Sequence, residues 1–254
     1  MDNQDTSGEA LHVLAVGGAG YVGTILRPAL EAAHHVRYLD LEPVSDAGQR
    51  MVVGSVTDAA AVERAVTEDL DAVVYLAMGQ KNAPRDAAGE LLVAKSNFDV
   101  NAYGVYRVLH RAMEVGVPRF IYASSMGVLG LGNKAGPVDE TVEPDAWGGY
   151  GLSKRLGECV CEIAARRNPQ ATITALRLMH PMDADKYRDY LAGELPVFAN
   201  RSPTAPEDLR RLFLAALALD KPGLHIVQAS GDAEGTRYPN HRVHELLGWW
   251  PQGR

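Results

Sequence analysis

LHVLAVGGAGYVGTILRPALEAAHHVRYLD, residues 11–40, decides the fold. Leu11 to Val16 is an apolar run that ends in three glycines, Gly17-x-x-Gly20-x-x-Gly23. Val22, Ile25, Leu26 and Leu30 then recur at helical spacing, and a second apolar run, Val36 to Leu39, stops at Asp40. Strand, tight turn, helix and strand follow one another in about the 30 residues that a βαβ unit needs. Gly17 lets the chain turn sharply off the strand. Gly20 has no Cβ, so a pyrophosphate can approach the helix N-terminus, whose free N–H groups favour an anion. Gly23 lets the helix pack closely on the strand. Asp40 stands where a carboxylate accepts hydrogen bonds from both hydroxyls of an adenosine ribose. A 2′-phosphate would meet a like charge there, so the stretch predicts NAD rather than NADP.

Beyond Asp40 the same alternation continues. Met51 to Val53 reads as a short strand, followed by Gly54-Ser55-Val56-Thr57-Asp58. Thr57 or Asp58 caps a helix over about 59–68, and Asp58 also stands where it can accept from an adenine amino group. Residues 71–77 read as a strand buried on both faces. The polar stretch 78–89 follows a strand end, where ligands of open α/β sheets bind; Gln80, with Lys81 and Asn82 beside it, is expected to face the substrate. A long helix is predicted over 90–115 and a strand over 117–123, which delivers Ser124 and Ser125. Then come a Gly/Pro-rich loop (126–149), a helix from Tyr150 to about Arg167 and a strand over 171–176. An irregular stretch (180–205) precedes a helix over about 206–219, a strand over 224–228 and a short helix near 240–247.

Strands alternating with helices predict an α/β chain, with a Rossmann-type, doubly wound, mainly parallel sheet and a small C-terminal substrate-binding lobe. Residues 1–10 read as a disordered N-terminus and 11–254 as one domain. Its substrate-binding elements are expected mainly in 78–89, 126–149, 180–205 and 229–254.

Bulk properties narrow the function. The 254 residues are 46% hydrophobic and 22% charged, a globular balance. A formal net charge of −7, with no Lys/Arg run, gives no support for nucleic-acid binding. No apolar run reaches membrane-spanning length. The polar start lacks the basic and apolar regions of a signal peptide, and Cys159 and Cys161, two apart in a helical region, read as reduced thiols. The expected location is cytoplasmic. His241 and His244 have no partner at ligand spacing, so no metal is expected.

Tyr150-Gly151-Leu152-Ser153-Lys154 puts Tyr and Lys at i and i+4, on one face of a helix. A phenol titrates near about 10. A neighbouring ammonium, or a nicotinamide cation, favours the phenolate. A tyrosine tuned in this way can take a proton from an alcohol while hydride leaves its carbon. Ser125, at a strand end, can hold the reacting oxygen beside it. Arg177, ending a strand, is expected to anchor structure, and His180 to be packed or solvent-facing.

VGGAGYVG, Asp40, GSVTD, VVYLA, the NFDVNAYGVYRVL segment around Asn101, FIYASSMGVLG, YGLSK and TALRL together resemble the extended short-chain dehydrogenase/reductase superfamily over roughly residues 11–230. The resemblance implies that Ser125 holds the substrate oxygen, Tyr150 is the acid/base and Lys154 binds the cofactor ribose and lowers the tyrosine pKa. Asn101 would support a proton-relay water. It also implies cofactor contacts from Gly17, Gly20, Tyr21, Val22 and Gly23, from Asp40, Leu41, Ser55, Val56 and Asp58, and from Leu76, Ala77, Met78 and Asn97. A homodimer through helices 90–115 and 150–167 is the superfamily default.

Two departures narrow the subfamily. Met126-Gly127 replace the Asp-Glu pair of the sugar 4,6-dehydratases, and the chain is short for a nucleotide-sugar epimerase. Its compact length, Asp40-Leu41-x-Pro43, Tyr187-Arg188 and the C-terminal Leu-Gly-Trp are similar to the uronate dehydrogenases. That similarity implies oxidation of a hydroxyl or hemiacetal of a small sugar-derived substrate, with Gln80, Ser125, Met126 and the carboxylate-binding Arg188 touching it. In those enzymes Ser-Asn-His replaces Ser125-Met126-Gly127, so two polar contacts are missing here. An epimerase is the alternative enzyme. A non-catalytic NAD(H) sensor is the alternative of another class.

Overall fold

The computed structural model describes residues 9–80, 84, 86–130, 134, 136–196 and 202–253. Its centre is a parallel sheet in the order β3-β2-β1-β4-β5-β6-β7. The strands are β1 (His12–Val16), β2 (His35–Asp40), β3 (Met51–Val53), β4 (Ala72–Tyr75), β5 (Arg119–Ser125), β6 (Thr172–Leu178) and β7 (Gly223–Ala229). Every pairing is parallel, as βαβ crossovers require. β1 pairs with both β2 and β4. The strand order therefore reverses there, and a crevice opens at the carboxyl ends of the strands.

Helices α1 (Tyr21–Ala33), α7 (Pro206–Ala218) and α8 (His241–Leu247) bury Ile25, Leu26, Leu209, Phe213 and Val243 on one face of the sheet. On the other face, α2 (Ala59–Ala65), α4 (Val105–Glu114) and α5 (Gly149–Arg167) bury Val62, Val108, Leu109 and Cys161 against Tyr75 and Tyr122. The interiors of β1 and β4 are buried on both sides, which is why Val13–Val16 and Ala72–Tyr75 read as unbroken apolar runs.

Four local expectations change. The helix expected over 59–68 stops at Ala65, because Val66 is extended and Arg37 holds Thr67 and Asp69 in a turn. The helix expected over 90–115 starts earlier, as α3 (Ala87–Phe98), with Asp86 capping Gly89 N at 2.8 Å. It is then broken by a π-helical turn, Asp99–Gly104, before α4. The turn frees carbonyls that buried phenols take: Tyr75 donates to Val100 O at 2.6 Å and Tyr122 to Asn101 O at 3.2 Å. The stretch 180–205, read as irregular, contains α6 (Ala184–Leu191), capped by Asp183.

The C-terminal segment seals α7. Trp249 is buried and donates from Nε1 to Asp208 O at 2.8 Å. The N–H groups of Gln252 and Gly253 end on the buried Asp208 carboxylate, which also pairs with Arg211. Among the described residues no helix is long and apolar enough to cross a membrane.

Candidate active site

A cleft of about 910 Å³ follows the carboxyl ends of the strands. Gly17, Gly20, Tyr21 and Val22 line one wall with Leu39, Asp40, Leu41, Ser55 and Val56. Gly17 has φ +86°, and a Cβ there would lie 2.4 Å from Ala77 N, so the turn packs directly on the chain leaving β4. Gly18 is equally tight, its Cβ position lying 2.4 Å from the Tyr38 ring. Gly23 does not line the cleft. Its Cβ position is 2.4 Å from Gly18 O, so it serves helix against turn rather than helix against strand.

Gly20 is the N-cap of α1, with no side-chain cap and no acid in the first turn. The first N–H groups of α1 therefore have no side-chain partner where Gly20, Tyr21 and Val22 reach the cleft. The Asp40 carboxylate is pinned beside them, accepting Ala19 N at 2.8 Å. An uncapped helix N-terminus and a fixed carboxylate about 20 residues later suit a pyrophosphate and a ribose diol, so these residues fit NAD. Asp58 lies outside the cleft lining. It caps α2 by accepting Ala60 N at 3.0 Å, which leaves the adenine contact without support.

The middle of the cleft is lined by Leu76, Ala77, Met78, Gln80 and Asn97. The Asn97 amide donates to Val93 O at 2.8 Å and to Gln80 O at 3.1 Å, tying the loop after β4 to α3. Lys81 and Asn82 lie outside the described residues. Asn101 is fully buried and sits behind Asn97. Its Nδ2 donates to Asn97 Oδ1 at 2.9 Å and to Ser153 Oγ at 3.0 Å, while its Oδ1 has no protein partner.

At the far end Ser125, Met126, Gly127, Tyr150 and Lys154 meet. Ser125 Oγ accepts Gly127 N at 3.0 Å. A Cβ on Gly127 would fall 3.1 Å from Ser125 Oγ and 3.3 Å from Tyr150 Cε1, so the glycine keeps the approach to both hydroxyls open. Lys154 is buried beneath them. Its ammonium donates to Ala123 O at 2.8 Å, 5.0 Å from the centre of the Tyr122 ring. Burial holds the Tyr150 phenol above its usual value, and the hydrogen bond to Ser125 pulls the other way. The expected lowering by Lys154 is not the dominant influence in this geometry. The Tyr150 residue is 37% accessible because the cleft stands open in front of the ring.

Arg177, expected to anchor structure, makes a buried two-pronged ion pair with Glu158, Nε to Oε1 at 2.8 Å and Nη2 to Oε2 at 2.9 Å. Ser124 donates to the same carboxylate at 2.7 Å, so the pair braces the strand end that carries Ser125. Glu158 carried no sequence signal beyond lying one turn after Lys154. His180 lines the cleft with φ +43°, a conformation that side chains with a Cβ rarely adopt.

Arg188 does not line the cleft. It is 69% exposed at the side chain and pairs with Asp185 and Asp189, both at 2.9 Å. The same helix brings Lys186 to the cleft instead. Residues 229–253 also stay clear of the lining: Trp249, Gln252 and Gly253 are engaged on α7, while the Arg237 carbonyl accepts Val138 N and Asn240 bonds to Ser230. Among the described residues no group of three or more His, Cys, Asp or Glu side chains could hold a metal ion.

A reversal-point crevice with an uncapped helix N-terminus, an acid at the end of β2 and a Ser-Tyr-Lys set defines an NAD-dependent α/β enzyme of the extended short-chain dehydrogenase/reductase type. The model of the NAD dependent epimerase/dehydratase family matches residues 13–201, and the chain belongs to that family, whose cofactor is NAD. It is 31% identical to the uronate dehydrogenase of Pseudomonas syringae pv. tomato over 240 residues, 92% of this chain and 79% of that one. The solved glucuronic acid dehydrogenase of Chromohalobacter salexigens superposes with a TM-score of 0.74 at 25% identity, covering 95% of this chain and 84% of the other. The chain spans less than half the length of two further relatives. One is an uncharacterised protein of Sinorhizobium fredii, 30% identical over 61% of this chain and 37% of its own length. The other is the N-acetyl-alpha-D-glucosaminyl-diphospho-ditrans,octacis-undecaprenol 4-epimerase of Escherichia coli O157:H7, 30% identical over 65% of this chain and 47% of its own.

Proposed function

We propose that this chain is an NAD-dependent dehydrogenase that oxidises a hydroxyl or hemiacetal of a small sugar-derived substrate, with Tyr150 as general base. The observation that carries the reading is the meeting of the Ser125 and Tyr150 side chains at the open end of the cleft, with Lys154 buried beneath them. Bound NAD supplies the acceptor for the hydride that leaves the carbinol carbon. Tyr150 takes the hydroxyl proton at its phenol oxygen, and Ser125 holds the substrate oxygen beside it. Lys154 places a positive charge under the pair and would hold the cofactor ribose. Asn101 supports the proton path, since a water on its unpartnered Oδ1 would extend the Asn97–Asn101–Ser153 chain inward. Gln80 and Met126 are the proposed substrate contacts. The uronate dehydrogenases among the relatives support an acidic sugar, but Arg188 gives that part no support.

NAD reduction, followed by NADH absorbance over a panel of uronates, aldoses and nucleotide sugars, tests the reading. Turnover of one of them that is lost in Tyr150→Phe is expected. An enzyme that is inert across the panel yet binds NAD would sink the sugar assignment. The 4-epimerase relative keeps epimerisation as the second reading, which would give isomer interconversion without net NADH. The intact proton-transfer geometry stands against a pure NAD(H) sensor. A homodimer belongs to the same proposal. It is supported by Leu91, Leu92, Tyr106 and Ile163, which remain exposed on α3, α4 and α5.

A further inference from the structure

We propose that Lys186 is a cofactor-binding residue whose ammonium pairs with the NAD pyrophosphate above the N-terminus of α1, so that α6 closes the phosphate end of the cleft. The inference rests on the NAD site and is independent of the substrate reading. Three observations carry it.

The first is place. Lys186 lines the cleft together with Tyr21 and Val22, the first two residues of α1, and its Nζ lies 4.1 Å from the centre of the Tyr21 ring. The second is how the lysine is held there. Asp183 N donates to the Tyr21 hydroxyl at 2.9 Å, which docks the start of α6 on the start of α1. Asp183 then accepts Lys186 N at 2.8 Å and Lys186 Nζ at 2.9 Å. An ammonium has three donors; Asp183 takes one and the Tyr21 hydroxyl draws on a second, which leaves one for an anion.

The third is charge. A pyrophosphate brings two negative charges, whereas a helix N-terminus offers about half a positive one. The first turn of α1 has no acid to oppose the anion and no side-chain cap to displace. The other lysine in the described lining, Lys154, is held on Ala123 O at the reaction end. Arg188, two residues further along α6, is engaged by Asp185 and Asp189. Lys186 also neutralises Asp183, whose carboxylate would otherwise stand close to the phosphates as a like charge.

Calorimetric titration of NAD, ADP and adenosine into the parent enzyme, Lys186→Ala and Lys186→Arg, at low and high salt, tests this. Lys186→Ala should weaken NAD and ADP about tenfold, the low end for a charged hydrogen bond because the lysine is half exposed. Adenosine should bind as in the parent. Lys186→Arg should recover most of the loss, and the salt dependence of NAD binding should be shallower in Lys186→Ala. NAD affinity within about twofold of the parent would overturn the proposal, given that range. So would an equal loss for adenosine, which indicates general damage to the site. A raised KM for an acidic substrate with unchanged NAD affinity would reassign the lysine to the substrate.

Discussion

The wall built by β1, α1 and β2 is held by backbone against backbone at its glycines and by one local carboxylate. Gly17 lies against Ala77, Gly23 against Gly18, and Asp40 against the Ala19 N–H, all but one of these partners within 30 residues of chain. The opposite wall, from the end of β6 through α6, is held by side chains reaching across the sequence. Asp183 N finds the Tyr21 hydroxyl 162 positions away, and Thr204 Oγ1 donates to Met179 O at 2.8 Å. The first kind of wall tolerates almost no change, since no side-chain motion relieves a backbone overlap. The second rests on hydrogen bonds worth about 1 kcal/mol each, so it can be altered piece by piece. A cofactor common to a family suits the first wall, and substrates that differ among its members suit the second.

The strongest way to sharpen that contrast is Gly17→Ala. Strain at φ +86° and a Cβ driven into the backbone of Ala77 should together remove about 2–6 kcal/mol of stability, read as a fall in the denaturation midpoint and loss of NAD binding. A well-folded variant that binds NAD normally would break the contrast. Tyr150→Phe comes next. It should cut kcat by about 10²–10⁴ with NAD affinity nearly unchanged, because only the proton acceptor is lost. Burial raises this phenol, so little phenolate is present at neutral pH. In the parent enzyme the reverse reduction, which uses the protonated phenol, should stay level until the phenol itself titrates, whereas kcat/KM for oxidation should rise as pH goes from neutral to alkaline. A profile that is flat above neutrality would place the base elsewhere.

Asp40→Ala should weaken NAD by about 1.5–3 kcal/mol while leaving NADP as poor or slightly better, since the ribose loses a charged acceptor. Equal loss for both cofactors would separate Asp40 from the ribose. On the second wall, Tyr21→Phe removes the acceptor for Asp183 N and should lower stability by only about 1 kcal/mol in a denaturant titration. Arg188→Ala should be smallest of all, leaving the denaturation midpoint where it is in the parent, because both its ion pairs are exposed. KM for the best acidic substrate should not move. A large KM increase there would return Arg188 to the site.

What could be read from the chain followed the same division. Gly17 to Asp40 was legible because each requirement is met within one local stretch. Ser125, Tyr150 and Lys154 were legible because strand end and helix start are marked by period and spacing. The break at Asp99–Gly104 was not, since it depends on phenols delivered by β4 and β5. Nor was α6 legible, as none of its residues is buried and no apolar period marks it. That Lys186 rather than Arg188 lines the cleft turns on rotation: two positions on a helix lie roughly 200° apart, and the docking of Asp183 on Tyr21 sets which side faces inward. Asp58 was open to capping and to an adenine contact in sequence, and the capping part is seen at the start of α2.

The π-helical turn makes the middle of the cleft sensitive to a single codon. Removing one residue within Asp99–Gly104 would restore ordinary helical bonding and rotate everything before it by about 100° relative to α4. Asn97 and Val93 would swing off the cleft, and Tyr75 and Tyr122 would be left facing carbonyls already bonded within the helix. The deletion improves local helix geometry while dismantling the site. The irregularity is therefore the form of the helix that the enzyme has to keep.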